Sequence, residues 1–187
     1  MATLTMPEYP WFYVVEGDEL HQGDVLLDCP ILRLPRGITA TPGSRPVLIE
    51  RQNAIILTQS CDLTIRADGR CLAEDVILSP FYQKFELNSD PTYSRDTAWE
   101  EARKGRHQGY HVLNQSEIED HQLDFAIVDM RRAFSLSVDW VRQHAQSLGP
   151  RLRLLPPYRE HLSQAFARFF MRVGLPTDIP PFGKARK

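Results

Sequence analysis

Short apolar runs separated by turn-forming residues fill most of the chain between residues 11 and 155. Val, Ile, Leu and aromatic residues dominate the runs, and Gly, Pro, Asn or Asp lies between most of them. Strands bounded by turns show this pattern, and the tripeptide RQN at 51–53 has the length of a hairpin connection. The pattern predicts β-strands at residues 11–15, 24–32, 45–50, 54–59, 71–81, 109–114, 124–131 and 151–155.

Three segments carry helix signals instead of strand signals. A hydroxyl residue suited to a helix N-terminus opens or precedes two of them, at Thr97 and Ser137, and a glycine follows each, at Gly105 and Gly149. The hydroxyl accepts a hydrogen bond from a free backbone N–H at the start of a helix, and the glycine adopts the backbone conformation in which a helix commonly ends. The predicted helices are residues 97–104, 138–147 and 156–173.

The segment PPYREHLSQAFARFFMRV, residues 156–173, has the most regular amphipathic pattern. Its polar residues His161, Gln164, Arg168 and Arg172 form one stripe. Its apolar residues recur every three or four positions, which predicts one buried helix face: Tyr158, Leu162, Ala165, Phe166, Phe169 and Val173.

Many short strands, one interruption and a closing helix predict a mainly β fold with peripheral helices (α+β), in the form of a small curled β-barrel. We expect a single domain over residues 1–187, since that length suffices for one core. Residues 84–108 are polar and charged, so we expect a surface insertion with a short helix there. Residues 176–187 are expected to form a flexible tail.

The composition is that of a globular protein: 42% of the 187 residues are hydrophobic and 25% are charged. No apolar run approaches the roughly 18 residues of a membrane span, and the amino terminus lacks the pattern of a secretory signal. Three cysteines at irregular spacing argue against a disulfide framework. We therefore expect a cytoplasmic protein without a membrane partner.

Charge is distributed unevenly along the chain, although the net charge is only -2. From Leu148 onward, eight Lys or Arg residues face two acids, Glu160 and Asp178, and the preceding residues carry the acidic excess. This distribution indicates either a local anion-binding surface or an acidic body that the basic end neutralises.

Several segments resemble the PemK/MazF-type toxins. The sequences GDVL (23–26) and RPVLI (45–49), joined by a Gly/Pro loop, match the Gly-Asp strand and the Arg-Pro strand of those proteins. Thr58 of ILTQ matches a small hydroxyl residue at the end of the next strand. RL at 151–152 and VGL at 173–175 match an Arg-Leu segment and the end of the terminal helix.

This resemblance implies an SH3-like barrel that forms a homodimer and, in active members, cleaves single-stranded RNA without a metal or another cofactor. It places the chain in a bacterial toxin–antitoxin or phage-defence system, with an antitoxin as a protein partner. The strings TQSCDL and PPYREHLSQAFARFFMRVGLP look like signatures of a diverged bacterial branch.

The resemblance also implies that Arg45 and Thr58 carry the chemistry. Metal-free RNA cleavage needs a base, a cation and an acid. Arg45 is the candidate cation and Thr58 a phosphate-binding donor, and Asp62 or His111 is the candidate base.

Gln59, Ser60 and Cys61 lie between these residues and are candidate binding residues. Since they directly follow an apolar strand, they are expected at the barrel rim. Alternatively, the polar residues of this segment satisfy backbone groups of a turn, and Cys61 is a small buried apolar residue.

A zinc site built from Cys61, Cys71, His107 and His111 is not expected, because structural zinc ligands come in closely spaced pairs. Thus no metal ligand is predicted.

Arginines of the C-terminal part form a candidate binding surface: Arg159, Arg168 and Arg172, with Arg151 and Arg153. Arginines near aromatic residues suit single-stranded nucleic acid. Pairing with the acidic 84–101 segment, or a position in a dimer interface, is the alternative explanation, which the sequence favours slightly.

Two functions follow from the sequence. The first is a PemK/MazF-like barrel that binds single-stranded RNA and, in the catalytic case, cleaves it as a metal-independent endoribonuclease. The second is a non-catalytic interaction module, an accessory subunit of a larger bacterial complex.

Overall fold

Antiparallel β-sheet makes up most of the described chain. In the computed structural model, which describes residues 10–33 and 48–171, ten strands are present: β1 (Phe12–Val15), β2 (Val25–Arg33), β3 (Leu48–Ile56), β4 (Asp75–Gln83), β5 (Tyr110–Leu113), β6 (Ser116–Ile118), β7 (His121–Leu123), β8 (Ala126–Asp129), β9 (Phe134–Ser137) and β10 (Arg151–Leu154).

Helices occupy the periphery. The α-helices of the described residues are α1 (Ser60–Leu63), α2 (Asp96–Arg103), α3 (Val138–Leu148) and α4 (Tyr158–Phe170), and short 3₁₀ helices lie at Lys84–Leu87 and Met130–Arg132. The three predicted helices are confirmed to within about two residues, except that the predicted end of α4 lies outside the described residues. The short helix α1 was not predicted. None of the helices in the described ranges has the length and apolarity needed to cross a bilayer.

The main sheet has the strand order β2-β3-β4-β8-β5, and β9 also pairs with β4. Strand β4 divides one edge between two partners: Asp75–Leu78 pair with β9, and Phe81–Gln83 pair with β8. At the division, Pro80 has no N–H to donate, and the buried Ser79 hydroxyl donates to the Asp129 carbonyl at 2.7 Å. The predicted mainly β, α+β fold is confirmed, but within the described ranges these pairings do not close the sheet into a barrel.

Strand β3 is continuous where the sequence predicts a hairpin turn at residues 51–53. That prediction is wrong, because the polar side chains of this segment bind neighbouring strands instead of a turn. Arg51 forms an ion pair with Asp28 at 2.9 Å, the Asn53 side chain accepts a hydrogen bond from the Asp28 N–H, and Gln52 accepts one from the Tyr82 hydroxyl. The predicted strand residues 45–47 lie outside the described residues.

Two hydrophobic clusters lie on opposite faces of the main sheet. In β3, Ile55 belongs to the cluster that contains Leu162 of α4, whereas Ala54 and Ile56 belong to the cluster that contains Val141 of α3. Successive strand residues point to opposite faces, and burial of both faces explains why this strand is a continuous apolar run. The sheet is therefore covered by α4 on one face and α3 on the other.

A third, smaller cluster anchors the segment predicted as a charged insertion. Trp99 and Ala102 of α2 and Tyr93 pack on Ile127 of β8, and the Trp99 indole donates to the Tyr93 carbonyl at 2.8 Å. This packing fixes α2 beside β5.

The sequence RLRLL at 151–155 forms strand β10 as predicted, but its arginines are not on the surface. Arg151 and Arg153 are only 3% and 5% exposed, and both bind the fully buried carboxylate of Asp24. Arg151 also donates to the carbonyls of Gly17 and Glu19 at 2.7 and 2.6 Å. Buried charges require partners of this kind, and these two arginines are therefore removed from the predicted basic surface.

Candidate functional site

The hydroxyl groups of Thr58 and Ser60, in the segment 58–62 predicted to form the barrel rim, form hydrogen bonds with backbone groups of the same chain. The half-buried Thr58 accepts a hydrogen bond from the Ile77 N–H at 2.7 Å, and Ser60 accepts one from the Gln22 N–H at 3.1 Å. Both oxygens satisfy backbone donors, which is the alternative role that the sequence allowed.

The other residues of this segment, Gln59, Cys61 and Asp62, do not surround a positively charged side chain in the described structure. Gln59 donates to the hydroxyl of Ser163 on α4 at 2.8 Å. Cys61 is exposed, not buried, and its sulfur lies 3.6 Å from an Asp62 oxygen. No ion pair within the described ranges involves Asp62, and Arg45 lies outside them, so an Arg45–Thr58 site stays a prediction.

A cavity of about 740 Å³ lies between β5, α4, the C-terminal end of α2 and Trp11. We call it the α4–β5 pocket. Its volume is within the range of small-molecule binding sites. Aromatic rings form much of its wall: Trp11 and Tyr158 stack with their centroids 3.7 Å apart, and Tyr110, Phe125 and Phe169 line it as well.

Helix α4 presents polar side chains to this pocket. His161, Gln164 and Arg168 all line it, as expected of residues spaced by three and four along one helix face. Arg168 is exposed and has no ion pair within the described part of the chain. Arg159 does not line the pocket and pairs with Glu160 at 2.8 Å, and Arg172 lies outside the described residues.

His111 contributes to the pocket from β5. Its Nε2 atom is shielded from water and has no hydrogen-bond partner. Burial and, to a smaller extent, the nearby His161 lower the pKa of His111 to about 4. His111 is therefore neutral near pH 7, because its positive form would be poorly solvated.

No acidic side chain is among the described residues that line the α4–β5 pocket. Arg103 at its edge pairs with Glu100 at 2.7 Å, and hydrogen bonds from Arg103 and Lys104 lower the pKa of Glu100 to about 2. Since no described residue forms an ion pair with Arg168, the pocket wall is suited to an anionic ligand.

A second cavity of about 420 Å³ shares His107, Gln108 and Tyr110 with the α4–β5 pocket. It adds Arg131, whose guanidinium lies 4.1 Å from the centre of the Tyr110 ring and pairs with Asp129 at 2.8 Å. Cation and ring are thereby held together. The two cavities form neighbouring parts of one surface.

Gly109 lies where β5 and α4 approach each other. Its φ is +88°, and a Cβ added there would lie 2.9 Å from Cγ of Arg131 and 3.0 Å from Cε2 of Phe169. A larger residue would therefore clash with Arg131 and with Phe169 of α4.

Sequence reasoning identified one wall of this pocket but missed the other. The stripe of His161, Gln164 and Arg168 was visible from helical periodicity, and His111 was a candidate base. Trp11 and Gly109 were missed, because nothing local indicates that they meet α4.

The residues considered as zinc ligands in the sequence, Cys61, Cys71, His107 and His111, do not form a metal site in the described structure. His107 Nδ1 is hydrogen-bonded to the Tyr93 hydroxyl at 2.9 Å, and the Cys71 thiol donates to the Ala73 carbonyl. Within residues 10–33 and 48–171, no group of three metal-ligating side chains occurs.

Comparison with protein-family models, with curated proteins and with solved structures finds no match to this chain.

Proposed function

We propose that this protein binds single-stranded RNA in the α4–β5 pocket. The observation that carries the proposal is the composition of the pocket wall. Among the described residues, this wall combines aromatic rings with the Arg168 guanidinium, which has no ion pair there, and contains no acidic side chain. Bases of single strands stack on aromatic side chains, and arginine binds the phosphates between them.

Each part of the wall has a role in this proposal. The stacked Trp11 and Tyr158 rings are a platform on which a base continues the stack. Arg168 binds the adjoining phosphate. Arg131 and Tyr110 in the second cavity receive the next nucleotide, since the two cavities share residues 107, 108 and 110.

The proposal retains the relationship to the PemK/MazF-type toxins, with an SH3-like barrel as the parent fold. It also retains a bacterial toxin–antitoxin or phage-defence setting in the cytoplasm. It differs from the resemblance in one respect, because the RNA lies in the α4–β5 pocket and not at Arg45 and Thr58.

The test measures binding of a fluorescent single-stranded RNA of about ten nucleotides. Fluorescence anisotropy reports the affinity at several salt concentrations. Arg168→Ala is compared with Arg70→Ala, a matched control that removes the same charge from an exposed turn outside the pocket. We expect only Arg168→Ala to weaken binding and to reduce the slope of log K against log salt by about 0.7, the value for one phosphate contact of a single strand.

Two results would contradict RNA binding in this pocket. One is the absence of saturable binding by the unmodified protein. The other is an equal loss of affinity in the two arginine variants, which would mean that only net charge matters.

A second candidate function, protein interaction, is favoured by an exposed apolar surface on the other side of α4. Phe170 and Met171 are 59% and 79% exposed, and a cavity of about 450 Å³ lies between Phe134, Phe166 and Phe170. Large exposed apolar residues in one patch are typical of interfaces. If this surface joins two protomers, Phe170→Ser lowers the mass measured by light scattering, whereas an unchanged mass excludes a dimer through this patch.

A further inference from the structure

We infer that the second cavity binds the terminal phosphate of the RNA, so that the strand is recognised at a phosphorylated end. This inference rests on the proposed RNA binding and extends it, because it names the chemical group of the strand that the second cavity receives.

Arg131 is held in a fixed position at the wall of this cavity. Its Nε and Nη2 atoms donate to the two carboxylate oxygens of Asp129, each at 2.8 Å, and Nη2 also donates to the Tyr110 hydroxyl. Asp129 is only 3% exposed and does not line the cavity. The Arg131 side chain is half exposed, and its Nη1 forms no hydrogen bond within the described ranges. Nη1 is therefore an oriented donor that is available to a ligand.

Arg106 provides a second guanidinium at the same cavity. This exposed side chain is attached through Nη1 to the two carboxylate oxygens of Glu101, each at 3.0 Å. Its Nε and Nη2 atoms form no hydrogen bond in the described part of the chain. Each of the two guanidiniums thus has some N–H groups bound to a carboxylate of this protein and others that are available to a phosphate.

Neutral side chains of the cavity add further hydrogen-bonding groups. The Tyr93 hydroxyl lies 2.9 Å from Nδ1 of His107, so Nε2 is the ring nitrogen that remains for a ligand. The Tyr110 hydroxyl accepts a hydrogen bond from Arg131, which leaves its own proton to be donated. The hydroxyl of the exposed Thr92 lines the cavity as well.

This set of donors matches a terminal phosphate better than an internal one. A phosphodiester inside a strand has one negative charge and two non-bridging oxygens, whereas a phosphate monoester has a charge of about -1.5 to -2 and three strong acceptor oxygens. The donors come from four segments, namely the loop before α2, the loop after α2, strand β5 and the 3₁₀ helix after β8. No acidic side chain is among the described residues that line the cavity. Groups from four segments around one cavity can bind three phosphate oxygens together.

The position of the second cavity suits the end of a strand that lies in the α4–β5 pocket. Tyr110 lines both cavities, and the Arg131 guanidinium lies 4.1 Å from the centre of its ring. A phosphate bound to Arg131 is therefore next to the wall of the pocket, and one strand can occupy both cavities.

The experiment compares three RNAs of one sequence, which have a 5′-phosphate, a 3′-phosphate or hydroxyl groups at both ends. A fluorescent label on a central nucleotide leaves the ends free, and anisotropy measures the affinity. We expect one of the phosphorylated RNAs to bind at least about 10-fold more tightly than the RNA with hydroxyl ends, which is the effect of hydrogen bonds to a charged group. The other phosphorylated RNA should bind like the RNA with hydroxyl ends, so the comparison identifies the recognised end.

Variants show where the terminal phosphate binds. Arg106→Ala should lose most of the preference for the phosphorylated end. Arg95→Ala is the matched control, because Arg95 is exposed next to α2 but lines neither cavity, and it should keep the preference. Arg131→Lys retains the charge but not the planar fork that Asp129 holds, and it should reduce the preference. Arg168→Ala should weaken binding of all three RNAs by the same factor, since it removes a contact with an internal phosphate.

The outcomes separate this inference from the proposed function. If none of the three RNAs binds, both are wrong. If the three bind equally, if the two phosphorylated RNAs gain equally, or if Arg106→Ala keeps the preference, the terminal-phosphate site is wrong and RNA binding in the α4–β5 pocket stands. Thermal denaturation shows whether each variant is folded. The exposed Arg106 position decides the question even if Arg131→Lys does not fold.

Discussion

The segment 58–62 and the α4–β5 pocket differ in what their polar groups are bound to. In the segment, the hydroxyls of Thr58 and Ser60 accept hydrogen bonds from backbone N–H groups. In the pocket, His111 Nε2 has no partner and Arg168 has no ion pair within the described ranges. A polar cluster in a sequence therefore indicates a site only if the fold leaves its groups unoccupied. Removing the Thr58 hydroxyl from the segment should therefore reduce stability, and removing the Arg168 guanidinium from the pocket should reduce ligand binding.

The largest expected effect tests whether the walls of the pocket are in close contact. Gly109→Ala should destabilise the protein by about 2–5 kcal/mol, since positive φ costs roughly 1–2 kcal/mol for alanine and overpacking adds about 1–3 kcal/mol. Gly69→Ala is the matched control, because Gly69 also has positive φ but no atom within 4 Å of an added Cβ. Urea denaturation measures both, and equal losses would mean that α4 and β5 are not in contact at Gly109.

A pH effect of similar size should come from His111. Its pKa is about 4 in the folded protein and about 6.5 in an unfolded chain, so only the unfolded chain binds a proton between these values. Stability should therefore be unaffected by this group above pH 6.5 and fall by about 3 kcal/mol as the pH decreases from 6.5 to 4. Denaturation of the unmodified protein and of His111→Asn over this range checks the prediction, which fails if both have the same pH dependence.

At the segment 58–62 the expected effect is smaller and affects stability alone. Thr58→Val removes the acceptor of the Ile77 N–H and should cost about 1 kcal/mol without changing RNA affinity. Denaturation and anisotropy are measured on the same preparation. A loss of RNA affinity at unchanged stability would restore Thr58 as the functional residue that the resemblance implies.

The smallest effect is expected at Cys61. Its side chain is exposed and its only hydrogen bond in the described structure is a 3.6 Å contact with the neighbouring Asp62. Cys61→Ser should change stability by less than about 0.5 kcal/mol and leave RNA binding intact. A loss of RNA affinity in this variant would restore Cys61 as a binding residue and would contradict binding in the α4–β5 pocket alone.

Local signals predicted the helices and most strands. The cap at Ser137 is confirmed, as its hydroxyl accepts from the Trp140 N–H, and Gly149 ends α3 with a φ of +72°. The predicted apolar face of α4 is confirmed at Leu162, which is fully buried. These features depend on residues within a few positions of each other, which a sequence displays directly.

Features that depend on distant residues could not be predicted. Arg151 and Arg153 show the alternation of a half-exposed strand, and only the carboxylate of Asp24, more than a hundred positions earlier, explains their burial. The same applies to the pocket, where the Trp11 ring stacks on the ring of Tyr158, which lies far along the chain. The sequence shows candidate side chains, but the pairing of strands decides which of them meet.

The buried carboxylate of Asp24 also has a consequence for biosynthesis. Strand β1 pairs with β10, and Asp24 receives its two guanidinium groups from β10 as well. A nascent chain that has not yet emerged from the ribosome as far as residue 154 lacks both. Strand β1 therefore lacks its partner β10 until residue 154 has been translated, and this pairing, which joins residues far apart in the chain, forms late in synthesis.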